Sequence, residues 1–112
     1  MIVIKWEKDE NVYTFDEYYD LFAYTENNKK IHIAILYWSN NRWIMSDYIP
    51  YLKSETKWYE NYTINEVNDV LFRAVLDIQS DLSRINNMCV DYCNAISDYV
   101  IDYVQGIDHN ED

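Results

Sequence analysis

A long apolar stripe in the second half of the chain constrains the fold more than any other sequence feature. Between Thr63 and Ile107, apolar residues recur at intervals of three or four, with eleven intervals spanning forty residues. The mean spacing is about 3.6 residues, which is the period of an α-helix. The stripe consists of Val67, Leu71, Ala74, Ile78, Leu82, Ile85, Cys89, Cys93, Ile96, Val100, Tyr103 and Ile107. This pattern predicts helical structure over the whole region.

Both ends of this region carry helix-boundary signals. Thr63 and Glu66 have the spacing of a capping box, in which each side chain bonds the backbone amide of the other residue. Gly106, the single glycine of the chain, can adopt the left-handed conformation that closes a helix. The predicted helical region therefore begins near Thr63 and ends near Gly106.

The length of the stripe favours two helices over one. A single helix over 63–107 would be about 67 Å long, whereas a compact domain of this size has a radius of gyration of about 13 Å. We predict two helices, at about 64–84 and 88–105, separated near Asn86-Asn87, because asparagine is a poor helix former. The alternative is one projecting helix, whose exposed apolar stripe would require a homodimer.

The first half of the chain predicts a small antiparallel β-sheet of three or four strands within residues 2–49. Ile31–Trp38 is apolar on both faces, which indicates a central strand, and Ser39–Arg42 is a hairpin turn leading to the next strand. Ile2–Glu7 is predicted as the first strand, and Val12–Phe15 as a short second strand.

Two segments of this half are less clearly patterned. Residues 16–25 fit either a helix or a strand, and a strand is favoured. Residues 51–62 are predicted to be a polar, aromatic connection. The predicted fold class is α+β, with 1–112 forming a single domain in which the two helices pack on one face of the sheet. Residues 108–112 are expected to be a frayed acidic tail.

Composition argues against several classes of protein. No apolar run approaches the roughly 20 residues of a membrane helix, and Ile2–Ile4 is too short for the apolar segment of a signal peptide. We therefore expect a cytosolic protein. Cys89 and Cys93 both lie in the apolar stripe, which indicates buried reduced thiols. A metal site would need further ligands, and the chain has only two histidines, so no metal or cofactor is expected.

The distribution of charge is the strongest functional signal. The chain has a net charge of −11, and residues 60–112 carry eleven acidic residues against two basic ones. Asp91, Asp98 and Asp102 are predicted to lie opposite the stripe on the second helix. The pair Asp98 and Asp102 is disfavoured by about 0.2–0.5 kcal/mol at this spacing, and negative charge near a helix C-terminus is also unfavourable. Residues that oppose local stability tend to mark function.

These charges lead to the hypothesis of a non-enzymatic inhibitor that mimics nucleic acid. Its partner would be a basic, nucleic-acid-handling protein such as a nuclease or a CRISPR-type effector, and the negative charge disfavours direct binding of nucleic acid. The predicted contact residues are Asp77, Asp81, Asp91, Tyr92, Asp98, Tyr99 and Asp102. In size, acidity and lack of a catalytic set, the chain resembles the small inhibitors of phages and mobile elements, including DNA mimics and anti-CRISPR proteins. It is similar also to immunity proteins that neutralise toxin nucleases.

Two alternative functions remain open at the sequence level. The first is an adaptor or homo-oligomer subunit that binds through exposed aromatic residues such as Trp58, Tyr59 and Tyr62, with the acidity serving solubility. The second is a nuclease, because Asp47 followed by Glu55-Thr56-Lys57 resembles the Asp…Glu-x-Lys pattern of metal-dependent restriction-type nucleases. A single glycine leaves no phosphate-binding loop, and we expect the protein not to be an enzyme.

Overall fold

The computed structural model describes residues 2–11, 14–27, 29–47, 56–82 and 90–106. These residues form one antiparallel sheet whose strands lie side by side in sequence order, followed by two helices. The elements are β1 (Val3–Lys8), β2 (Tyr18–Tyr24), β3 (Lys30–Ser39), β4 (Arg42–Asp47), β5 (Thr56–Tyr59), α1 (Val67–Leu82) and α2 (Val90–Val104). The α+β class is confirmed, with five strands rather than the three or four that were predicted.

The additional strand lies in the segment predicted as a connection. β5 pairs with β4, so that Trp43 lies opposite Tyr59 and Met45 lies opposite Lys57. Four residues are too few to show a strand periodicity in the sequence. Pairing with β4, which the sequence does not display, is what makes this segment a strand.

The second strand of the described chain lies within residues 16–25, where a strand was favoured over a helix. All six residues of β1 pair with β2, with Val3 opposite Tyr24 and Lys8 opposite Tyr19. Thr14 and Phe15 form a bend, and Val12 and Tyr13 lie outside the described residues.

The hairpin between β3 and β4 is the one predicted at Ser39–Arg42. Asn40 and Asn41 form its two-residue loop and have φ angles of 54° and 62°. Two consecutive positive φ angles are typical of a type I′ turn, whose twist matches that of the flanking strands. Asparagine tolerates this conformation better than other residues with a β-carbon, so the turn forms here without glycine.

The two helices pack against each other in antiparallel directions. The rings of Phe72 and Tyr103 stack with 4.1 Å between their centroids, and the amide of Gln79 lies 3.3 Å from the Ser97 hydroxyl. In one continuous helix, residues 72 and 103 would be about 46 Å apart. The prediction of two helices is therefore confirmed, and the projecting single helix is excluded.

The residues predicted to mark the two ends of the helical region lie close to the observed helix ends. The Thr63 amide donates to Glu66 Oε1 at 2.8 Å, which is half of the predicted capping box, although α1 begins at Val67 rather than at residue 64. Gly106 has a φ of 84°, and its amide donates to the Tyr103 carbonyl at 3.0 Å. A residue with a β-carbon would be strained in that conformation, which explains the glycine at this helix end.

The core lies between the helices and one face of the sheet. Side chains alternate along each strand, so that Trp6, Leu36 and Trp43 point into the core. Ile78 of α1 and Ile96 of α2 are fully buried against them, as the apolar stripe predicts. Among the described helices, neither is long and apolar enough to cross a lipid bilayer. Cys89, the Cys93 side chain and residues 108–112 lie outside the described part, so the predictions made for them stay predictions.

Candidate protein-binding surfaces

Two of the predicted contact residues, Asp77 and Asp81, hold α1 against β5. Asp81 is only 5% exposed, and its carboxylate lies 3.1 Å from the Lys57 ammonium. Asp77 accepts a hydrogen bond of 2.6 Å from the Tyr59 hydroxyl and pairs with Arg73 at 3.2 Å. Because β5 was not predicted from the sequence, neither partner of α1 could be foreseen. The proposed binding surface does not include these two acids.

Tyr59 is bound into this contact between strand and helix. The burial of its ring, followed by its hydrogen bond to the Asp77 carboxylate, raises the pKa of Tyr59 well above its ordinary value. Both effects favour the neutral phenol, since ionisation would place a second negative charge beside the carboxylate. Tyr59 therefore acts as a hydrogen-bond donor within the fold, and it is not available as an exposed aromatic contact.

Of the predicted contact residues in α2, one lies in the core and others lie at the surface. Tyr99 is only 3% exposed and packs in the core. Its position three residues after Ile96 and four before Tyr103 places it on their side of the helix, a signal that the sequence does carry. Asp98 is exposed and Asp102 is half-buried. For Asp91 and Tyr92, which also belong to α2, the side chains lie outside the described part.

Asp98 and Asp102 line a groove between β1 and α2, which we call the β1–α2 groove. It has a volume of about 200 Å³. Most of its lining is apolar, and Val3 and Ile101 are exposed to 44% and 52%. The lining residues are Ile2, Val3, Ile4, Ala95, Asp98, Tyr99, Ile101 and Asp102. The structure thus places two of the predicted acids, Asp98 and Asp102, beside an apolar surface.

Ile101 was not identified from the sequence as a surface residue of interest. The sequence does contain an indication, because Ile101 is an apolar residue that lies outside the helical stripe, one position after Val100. Val104, also outside the stripe, is 74% exposed. An apolar residue off the buried face of an amphipathic helix has no role in that burial, and several such residues together indicate a contact surface.

A second exposed surface lies on the face of the sheet that points away from α1 and α2, which we call the open face. The rings of Tyr18 and Tyr37 are stacked there, with 5.8 Å between centroids, and Phe15 packs against Tyr37 at 4.6 Å. Trp58 is 53% exposed, and the Arg42 guanidinium lies 5.5 Å from its ring centroid. The open face therefore combines aromatic rings with charged side chains that are mostly paired with one another.

The aromatic residues proposed for the adaptor hypothesis are not equally exposed. Trp58 lies on the open face, Tyr59 is buried, and Tyr62 is half-buried against the core. The charged residues of the open face are largely paired within it. Asp20 lies 2.9 Å from the His32 imidazole, and its burial raises the pKa of the Asp20 carboxyl, an effect that His32 opposes.

Most basic residues of the described chain are engaged by acidic ones. Five of its seven lysines and arginines lie within 3.3 Å of a carboxylate oxygen, namely Lys8, Lys30, Arg42, Lys57 and Arg73. Meanwhile Glu10, Asp16, Asp69 and Asp98 are exposed to water. The positive charge is thus neutralised locally, and the surplus of negative charge faces the solvent.

The nuclease pattern is only partly visible in the structure. Lys57 lies on a strand, as that pattern requires, but its ammonium is bound to the buried Asp81 carboxylate. Glu55 and the Asp47 side chain lie outside the described residues. Within the described ranges, no three histidine, cysteine, aspartate or glutamate residues are arranged to hold a metal ion.

A scan against protein-family models, a search of curated proteins and a search of solved structures each found no match.

Proposed function

We propose that this protein is a non-enzymatic, acidic inhibitor that binds a basic, nucleic-acid-handling protein and competes with its nucleic acid. The supporting observation is the distribution of charge on the described surface. The basic residues are mostly held in ion pairs, while acids such as Asp69 and Asp98 remain exposed. A surface of this kind repels nucleic acid and attracts the positively charged groove that binds it.

The proposed contact surface is centred on the exposed side of α2. Asp98 and Asp102 are one helical turn apart, which separates their β-carbons by about 5–6 Å. This spacing is comparable to that of successive phosphates along a nucleic-acid strand. Asp91, seven residues before Asp98 in the sequence, is predicted by the helical period to lie on the same side.

The proposal is tested by capture followed by competition. The protein is immobilised and exposed to a nuclease-treated bacterial lysate, and each captured protein is purified. Fluorescence anisotropy then measures how tightly that partner binds a labelled DNA or RNA duplex, with and without this protein. We expect the duplex to be displaced, and we expect displacement to weaken steeply between 50 and 300 mM salt, because exposed charges are screened. Partners that bind at all salt concentrations and keep their duplex would contradict the proposal.

Charge variants distinguish electrostatic attraction from shape complementarity as the source of affinity for the partner. Replacing Asp91, Asp98 and Asp102 together with lysine changes the net charge by +6. We expect this triple variant to lose at least about tenfold in affinity for the partner. The matched triple change to asparagine keeps the side-chain shape and should show a smaller loss. Circular dichroism of both variants establishes that the fold is retained.

A second candidate function is that of an adaptor that binds through the open face. The observation that favours it is the exposure of Trp58 beside Arg42, since tryptophan and arginine dominate the energetics of protein interfaces. Under this hypothesis, Trp58→Ala would weaken partner binding by at least about tenfold, and the triple lysine variant would bind as the parent does. The opposite pattern supports the inhibitor.

A further inference from the structure

We propose that the β1–α2 groove binds an extended segment of the partner protein, in which an aliphatic side chain lies next to lysine or arginine. This inference rests on the proposed function, because it takes the partner to be basic. It adds the place of contact, the backbone conformation of the bound segment and the side chains that it must carry.

The position of β1 in the sheet supports an extended ligand. Among the described strands, β1 pairs with β2 alone and therefore lies at the edge of the sheet. Ile2, Val3 and Ile4 all line the groove, although successive side chains of a strand point to opposite faces. The groove therefore reaches residues from both faces of the strand, as a groove at the strand edge does. An exposed strand edge is a template for adding another strand, and this is a known mode of peptide recognition.

The apolar lining indicates which side chain the segment inserts. Val3 of β1 and Ile101 of α2 both line the groove, and both are about half exposed. Ala95, which also lines the groove, is small and buried. The space of about 200 Å³ is sufficient for one aliphatic side chain, and burying such a side chain there would remove Val3 and Ile101 from water.

The charges of the groove indicate what lies beside that aliphatic residue. Asp98 is exposed, and Asp102 lies one turn further along the same helix. Among the described residues that line the groove, none is a lysine or an arginine. Lysine or arginine on the bound segment would therefore be attracted, whereas aspartate or glutamate would be repelled. An acidic segment is excluded by the same charges.

The test uses NMR with the whole protein labelled with ¹⁵N and a synthetic peptide of alternating lysine and valine as the probe. We expect amide shifts at Val3, Ile4 and Ile101, and no shift of the Trp58 indole signal. A peptide with glutamate in place of lysine should give no shifts, and a peptide with serine in place of valine should bind at least about fivefold more weakly. If the alternating peptide causes no shifts, or shifts only the open face, the proposal is wrong.

Matched variants test whether the peptide binds at the β1–α2 groove. Ile101→Ser should weaken binding of the peptide by at least about fivefold, whereas Val104→Ser, an exposed aliphatic on the same helix that does not line the groove, should change it by less than twofold. Asp98→Asn is compared in the same way with Asp69→Asn, which removes an exposed acid from α1. Equal effects within either pair would show that the groove is not the binding site.

The two proposals can fail separately. If the peptide binds at the groove but captured partners keep their duplex, the groove site stands and the inhibitor function does not. If captured partners lose their duplex and bind Ile101→Ser as tightly as the parent, the inhibitor function stands and the groove is not its contact.

Discussion

Lys57 and Asp81 form an ion pair that is mostly shielded from water, and each depends on the other. Their side chains are exposed to 25% and 7%. Removing Lys57 takes a neutralising charge away from the buried Asp81 carboxylate, and breaking a buried pair in this way is destabilising. We expect Lys57→Met to lower the free energy of unfolding by about 3 kcal/mol, as measured by denaturant unfolding.

The double variant Lys57→Met, Asp81→Asn is the control for this pair. It removes both charges and keeps a polar side chain at position 81. Much of the lost stability should return, because no uncompensated charge remains. If Lys57→Met alone unfolds at the same denaturant concentration as the parent, the pair does not stabilise the contact between β5 and α1.

Tyr59 gives a prediction that depends on pH. Its hydroxyl donates to Asp77, so Tyr59→Phe should cost about 2 kcal/mol near neutral pH. Because the folded state raises the pKa of Tyr59, the folded protein holds its proton where the unfolded chain releases it. The stability due to this proton is therefore complete below the ordinary value of 10 and is lost as the pH rises above it.

The measurement is denaturant unfolding of the parent and Tyr59→Phe between pH 7 and pH 11. The difference in stability should be constant up to about pH 9 and should shrink above pH 10, where the unfolded tyrosine ionises. A difference that stays constant up to pH 11 would show that the hydroxyl is not held by the fold.

At the scale of the secondary-structure elements, the β3–β4 hairpin depends on two asparagines with positive φ. Glycine adopts this conformation without steric cost, and Asn-Gly is the preferred pair for a type I′ turn. We expect Asn41→Gly to raise the free energy of unfolding by about 0.5 kcal/mol and Asn41→Ala to lower it by about 1 kcal/mol. Thermal unfolding monitored by circular dichroism measures both. If alanine is tolerated as well as glycine, the turn is not the type that the φ angles indicate.

At the scale of the whole molecule, the net charge of −11 opposes folding, because the compact state brings like charges together. We expect the melting temperature to rise as sodium chloride increases from 10 to 300 mM, since salt screens repulsion between exposed charges. The rise should be smaller for Asp69→Asn and Asp98→Asn combined, which lowers the net charge to −9. A melting temperature that falls with salt would show that the ion pairs outweigh the repulsion.

Some features of the fold were determined by local sequence patterns. The apolar stripe is long enough for its period to be measured, so it predicted two helices and the burial of Ile78 and Ile96. The turn at Asn40-Asn41 and the helix end at Gly106 were also predicted, because each depends on the backbone preferences of the residues at that position. The net charge and its concentration after residue 60 follow from composition alone.

Other features were decided only by tertiary structure, because they depend on residues that are distant in the sequence. β5 is a strand because β4 lies beside it. β5 also lies next to α1, so that Asp77 and Asp81, which were predicted to contact a partner protein, instead bind Tyr59 and Lys57 within the fold. The β1–α2 groove likewise exists only because the two ends of the chain meet. A sequence pattern reports the period of one element, whereas a binding surface is made where two elements pack together.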